Sequence, residues 1–195
     1  MAKTQKKKRS PARTGRRSTA KRARSSTRPS RTRSAAEPTD VAFREELVSV
    51  LRGGHAHAAY EDVVANMPAA LRGQRPNGAP YSPWMILEHI RIAFWDILEF
   101  SRNPSHVSPD FPSEYWPADP NPPNANAWND SIARHRADRE AFERLVRDPA
   151  SDLYTPFAHG SGQTLVREVL VAATHTSYHL GELVVLRRLL GAWPG

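Results

Sequence analysis

The stretch Thr164–Leu190, TLVREVLVAATHTSYHLGELVVLRRLL, decides how the rest of the chain is read. It has no Pro and a single Gly, opens on a Thr suited to cap a helix N-terminus, carries two Arg in its last turn and is followed by Gly191. These are the start and stop signals of one long α-helix. At about 100° per residue, His179 lies about 40° around the axis from His175 and Glu182 about 20° the other way, so the three share one stripe. The rest of the stripe is Thr164, Glu168, Val171, Ala172, Leu186 and Leu189. Two imidazoles and two carboxylates on an otherwise apolar face cost free energy if buried without partners. A divalent ion shared by the rings removes that cost; hydrogen bonds from core histidines to nearby Glu and Asp are the plainer solution.

Upstream, Ser82-Pro83 is a good helix start, with Ser as cap and Pro at the first helical position. The helix WMILEHIRIAFWDILEF follows to about Ser101. His89 shares its face with Met85, Ile86, Ile92, Ala93, Asp96 and Phe100. Alone, such a His is a core residue; beside His-x-x-x-His it gains weight, because a metal site in a bundle draws inward ligands from more than one helix. Residues 126–147 predict another long helix, with Trp128, Ile132, His135, Phe142, Leu145 and Val146 inward. His135 has no paired neighbour and reads as core or rim.

Val41–Leu51 is a short helix ended by Gly53-Gly54, and His55–Met67 a further helical piece stopped by Pro68. His55 and His57, two apart, point in different directions and read as surface residues. Arg72–Tyr81 and Asp148–Gln163 are loops. Asn103–Asn124 holds seven Pro together with Phe111, Tyr115 and Trp116. So long an irregular connection is expected to pack, its aromatics folding a crossover onto the bundle over a pocket mouth.

The 195 residues carry a net charge of +8, unevenly placed. Residues 1–38 hold 14 Lys and Arg against Glu37 alone, about +13, and the remainder is about −5. Lacking any aromatic, Leu, Ile or Val, residues 1–38 are expected to be a disordered tail, and 39–195 a helical bundle domain. The tail is either an inert extension or an arm that binds nucleic-acid phosphates by counterion release. The chain has no Cys, so a metal must be held by His and carboxylates. The longest uncharged run in the main helix, Val169–Gly181, has 13 residues including two His. A bilayer span needs about 20 apolar residues, so no membrane segment is expected. A cytoplasmic protein, nucleoid-associated where the tail engages nucleic acid, is the expectation.

The blocks Trp84-Met-Ile-Leu-Glu88-His89-Ile, Gly162-Gln-Thr-Leu-Val-Arg-Glu168 and His175-Thr-Ser-Tyr-His179-Leu-Gly-Glu182, with Gly191-Ala-Trp behind them, carry a resemblance. Residues from about 41 to 193 resemble the DinB-like (YfiT-like) superfamily of metal-binding four-helix bundles. The resemblance implies an all-α, up-down-down-up bundle with a long Pro-rich crossover. It further implies that His89, His175 and His179 hold a divalent ion, commonly Zn or Ni. Many members have Gln where this chain has Glu182, which makes Glu182 an anchor for a ligand, a catalytic base or itself a ligand. Some relatives resemble thiol S-transferases or isomerases that use a low-molecular-weight thiol. A metal-dependent transferase, isomerase or hydrolase acting on a small molecule is therefore the first expectation. The second is a non-enzymatic, damage-inducible metal-binding protein tethered to nucleic acid by its tail. The apolar far side of the main helix, through Val166, Leu170, Leu180 and Val184, is expected to be covered by the 103–124 crossover or by a second subunit in a homodimer.

Overall fold

The computed structural model describes residues 37–194, so the expected disorder of the basic tail falls outside them but for Glu37 and Pro38. Among the described residues every regular element is helical: α1 Pro38–Arg52, α2 Tyr60–Val64, a 3-10 turn Ala69–Leu71, α3 Pro83–Arg102, α4 Ala127–Arg147 and α5 Leu165–Leu189. The caps read from the sequence are in place. Ser82 Oγ accepts from the Met85 amide, Thr164 Oγ1 accepts from the Arg167 amide, and Gly53 and Gly191 take positive φ beyond the ends of α1 and α5. The helix expected over His55–Met67 is only Tyr60–Val64. Asn66 turns the chain with φ 53° two residues ahead of Pro68 and ends the helix early, and His55 and His57 lie in the loop before it.

The four long helices form a ring in which α1 packs on α4 and α5, and α3 on the same two. Their directions follow from which halves meet. One core cluster joins Ile86, Leu87 and Ile90 of α3 to Trp128 and Ile132 of α4 and to Leu180, Leu183 and Leu186 of α5. The other joins Phe94 and Leu98 to Phe142 and Val146 and to Leu165, Val169 and Ala172. Thus α3 and α4 run parallel and α5 opposes them. Glu45 pairs with Arg147 and Arg52 with Glu143, so α1 opposes α4, giving the up-down-down-up order. The parallel step from α3 to α4 needs a connection as long as the bundle, and the Pro-rich crossover supplies it. It passes so close to the loop before α3 that a Cβ on Gly73 would collide with Asn121.

Two buried guanidiniums finish helix ends. Arg44 donates to the carbonyls of Val146, Asp148 and Ser151 around the end of α4. Arg187 donates to Val63, Ala65 and Ala192, tying the five-residue α2 to α5, while Trp128 Nε1 donates to Val64. So short a helix has no stability of its own; its orphan carbonyls are held from outside.

By length and composition α5 is apolar enough to cross a membrane, with a mean hydropathy of 1.2 over its best window. The 13-residue uncharged run Val169–Gly181 is shorter than that window, which tolerates an occasional charge. In the fold it packs against α1 and α3, with Glu168, His179 and Arg187 buried. The apolar far side expected on it is resolved differently. Leu180 is buried and Val184 packs on the same core cluster, whereas the crossover lies against α3. The residues left exposed are Leu170, Tyr178, Val185 and Leu189.

His135 is 1% exposed, stacked 4.1 Å from Tyr60, with neither ring nitrogen hydrogen-bonded. Burial pushes its pKa from 6.5 down to about 3. The unfolded chain therefore takes up a proton that the folded chain refuses, and stability falls as pH drops from 6.5 towards 3. His135→Phe keeps the stacked ring and removes both unpaired nitrogens. Urea unfolding at pH 7 and pH 4 should show a variant at least as stable at pH 7 and less acid-sensitive than the parent.

Candidate metal centre

The three histidines come from two antiparallel helices, α3 and α5. A potential ligand nitrogen from each of His89, His175 and His179 lies within 4.8 Å of the other two. His89 Nε2 is 3.1 Å from His179 Nε2 and 3.1 Å from His175 Nε2. The i, i+4 spacing on α5 sets two rings one turn apart, and the antiparallel packing brings His89 between them.

The opposite nitrogens decide what the rings can do. His89 Nδ1 is 2.9 Å from the Tyr115 carbonyl, which can only accept, so Nδ1 carries the proton. His179 Nδ1 is 2.6 Å from Glu182 Oε2, which fixes the same tautomer. Both Nε2 atoms of the neutral rings then present lone pairs to each other across 3.1 Å, where no hydrogen bond can form. Protonating His89 or His175 is the poor remedy: burial lowers the pKa of each to about 4, with the neighbouring rings adding to the effect. A divalent cation is the good one. Tetrahedral Zn–N bonds of about 2.0–2.1 Å separate neighbouring nitrogens by roughly 3.3 Å, close to the 3.1 Å from His89 Nε2 to each of the other two. The donor set therefore fits a divalent ion.

The crossover completes the site. Asp96, about two turns along α3 from His89, accepts from Tyr115 Oη at 2.5 Å and pairs with His106 Nε2 at 2.8 Å. Pinned there, the crossover delivers the Tyr115 carbonyl to His89 and lays Trp116 flat on the His89 ring, centroids 3.7 Å apart. Tyr81 stacks on the other side of Trp116 at 3.9 Å. Of the carboxylates that helical phase placed near the rings, only Glu182 contacts one. Asp96 is taken by the crossover and Glu168 by Arg167. His135 and His106 stand apart from the trio, and His57 meets Ser177 on the outer side of α5.

The comparison with known families agrees with this geometry. The family model described as the DinB superfamily matches residues 54–183, which include all three histidines and Glu182. The chain belongs to the DinB superfamily. No curated protein and no solved structure gives a match. In this DinB-superfamily bundle the carboxylate of Glu182 orients a ring, that of His179. A charged acceptor on Nδ1–H raises the donor strength of Nε2. Glu182→Gln keeps the shape but not the charge. Its affinity for Zn, read by competition with a chromogenic chelator, should fall about 10- to 100-fold.

Proposed function

We propose that this DinB-superfamily protein is a divalent-metal-dependent enzyme, of the thiol S-transferase or isomerase type or a hydrolase, with Zn or Ni as its ion. The observation that carries the reading is the pair of tautomer-locked rings whose Nε2 lone pairs face each other. Three neutral imidazoles leave coordination positions for water or substrate, and an ion held there lowers the pKa of a bound water or thiol. The protein's own part is positional. The Tyr115 carbonyl and Glu182 hold two ring protons away from the centre. Trp116 shields one face of His89. Glu182, bound to His179 through Oε2, has its second oxygen available to accept a proton from an approaching donor. The test is consumption of a panel of low-molecular-weight thiols with an electrophile, at matched protein concentrations, by the Zn- and Ni-loaded full chain and by His179→Ala. Turnover by the loaded chain and none by the variant supports the reading; equal rates contradict it.

The charge asymmetry of the sequence favours a companion role for the tail, that of a salt-sensitive arm on nucleic acid. Deleting residues 1–38 should leave metal content unchanged and remove binding to a duplex DNA probe. Binding by the full chain should weaken by orders of magnitude between about 50 and 200 mM salt. Undiminished binding by the truncated chain would make the tail inert.

A further inference from the structure

Beside the histidine trio lies a cleft of about 550 Å³ between α5 and the loop that leads into α3. Its walls include Tyr81, Ile86, Val185 and Leu189, and its charged member is Glu182. The volume lies within the roughly 300–1,000 Å³ of small-molecule sites, and a few polar groups in an apolar wall is their usual composition. Val185 is 53% and Leu189 63% exposed, so apolar surface there is held open to solvent.

Two links join cleft and trio. Glu182 lines the cleft while its Oε2 holds His179. Tyr81 lines it while stacked on Trp116, which is stacked on His89. Gly181 sits in the wall in an ordinary helical position, and a Cβ built on it meets nothing within 4 Å. Backbone geometry does not demand glycine there. Its effect is to leave space, one residue before Glu182.

From this we infer that the cleft is the site for the apolar body of the substrate, an alkyl or aryl chain with an uncharged hydrogen-bond-donating head. The head reaches the free oxygen of Glu182 and the chain lies along Ile86, Gly181 and Val185 towards Leu189. Among the described residues no Lys or Arg lines the cleft to receive an anion. The inference deepens the enzymatic reading above and rests on it for the word substrate. The binding site itself does not depend on that reading.

The test uses uncharged probes, the normal alcohols from 1-butanol to 1-octanol. They are titrated into the full chain, metal-loaded and metal-stripped, and followed by amide shifts in nitrogen-15 spectra. Each added methylene buried in the cleft should tighten binding about three- to fourfold, with the largest shifts at Gly181, Val185 and Leu189. Gly181→Leu favours the helix and fills the space. It should weaken 1-octanol at least tenfold without changing metal content or the far-ultraviolet spectrum. The absence of a chain-length gradient, or equal binding by Gly181→Leu, overturns the inference. So does light scattering that shows a dimer dissociated by Gly181→Leu, which would assign the face to a second copy. A gradient in a chain that retains no metal upholds the cleft and removes the metal-enzyme reading; metal without a gradient does the reverse.

Discussion

Alanine at His89 is expected to lower the affinity for a divalent ion by more than the 10- to 100-fold typical of losing an outer hydrogen-bond partner. The ring supplies the one donor from α3, and its Nε2 stands 3.1 Å from those of both other rings. Without it, two imidazoles one turn apart on α5 remain, and the ion must make up its coordination with water. The loss should also appear as stability. An ion at about 1,000 times its Kd stabilises the folded state by about 4 kcal/mol, and each kcal/mol moves Tm by about 2–4 °C for a domain of this size. Chelation should therefore lower the Tm of the parent by about 10 °C and leave His89→Ala unchanged. His135→Ala is the control, since it removes an equally buried ring outside the trio. It should cost stability through its cavity and retain the ion. Metal analysis after gel filtration, with thermal unfolding of both variants, checks the pair.

Arg187→Met should be the most damaging substitution away from the centre. The guanidinium is buried and, among the described residues, pairs with no carboxylate; its protons go to the carbonyls of Val63, Ala65 and Ala192, and its Cζ lies 5.3 Å from the centroid of the Trp193 ring. Methionine replaces the stem but leaves three acceptors unpaired, at about 1 kcal/mol or more each. A loss of about 3–4 kcal/mol, or about 10 °C in Tm, is expected. Because two of those carbonyls belong to α2 and the turn after it, the loss should be local first. Hydrogen exchange in residues 60–67 should accelerate ahead of that in α3 and α5, with metal content unchanged. Uniform acceleration throughout would contradict the assignment of Arg187 as the tie that docks α2.

The long helices were legible because their signals are local. Ser82 and Thr164 are caps, Gly53 and Gly191 are stops, and the apolar period of α3 and α5 aligns the histidines on inward faces. Helical phase also placed His175, His179 and Glu182 on one stripe, and the bond from His179 to Glu182 follows from it. Phase gives a direction, however, and not which group arrives from elsewhere. Asp96 points where expected, but Tyr115 and His106 reach it first. The residues that orient and cover His89, Tyr115 and Trp116, come from an irregular segment rich in Pro. Its aromatics announced packing, while its path depends on tertiary contacts such as Ser82 to the Pro120 carbonyl. The shortening of α2 has the same origin, since nothing periodic marks the turn at Asn66. Arg187 looked like a favourable charge in a last turn; its burial shows only once α2 folds back beside it.

The most direct measurement is X-ray absorption at the metal edge of the purified full chain, reconstituted with one equivalent of Zn and passed through a desalting column. About one ion should be retained per chain, with N/O donors at about 2.0–2.1 Å. The outer scattering of three imidazoles should accompany it, falling to two in His89→Ala. A chain that retains no ion, or whose bound ion shows the same imidazole scattering after His89, His175 or His179 is replaced, contradicts the three-histidine centre.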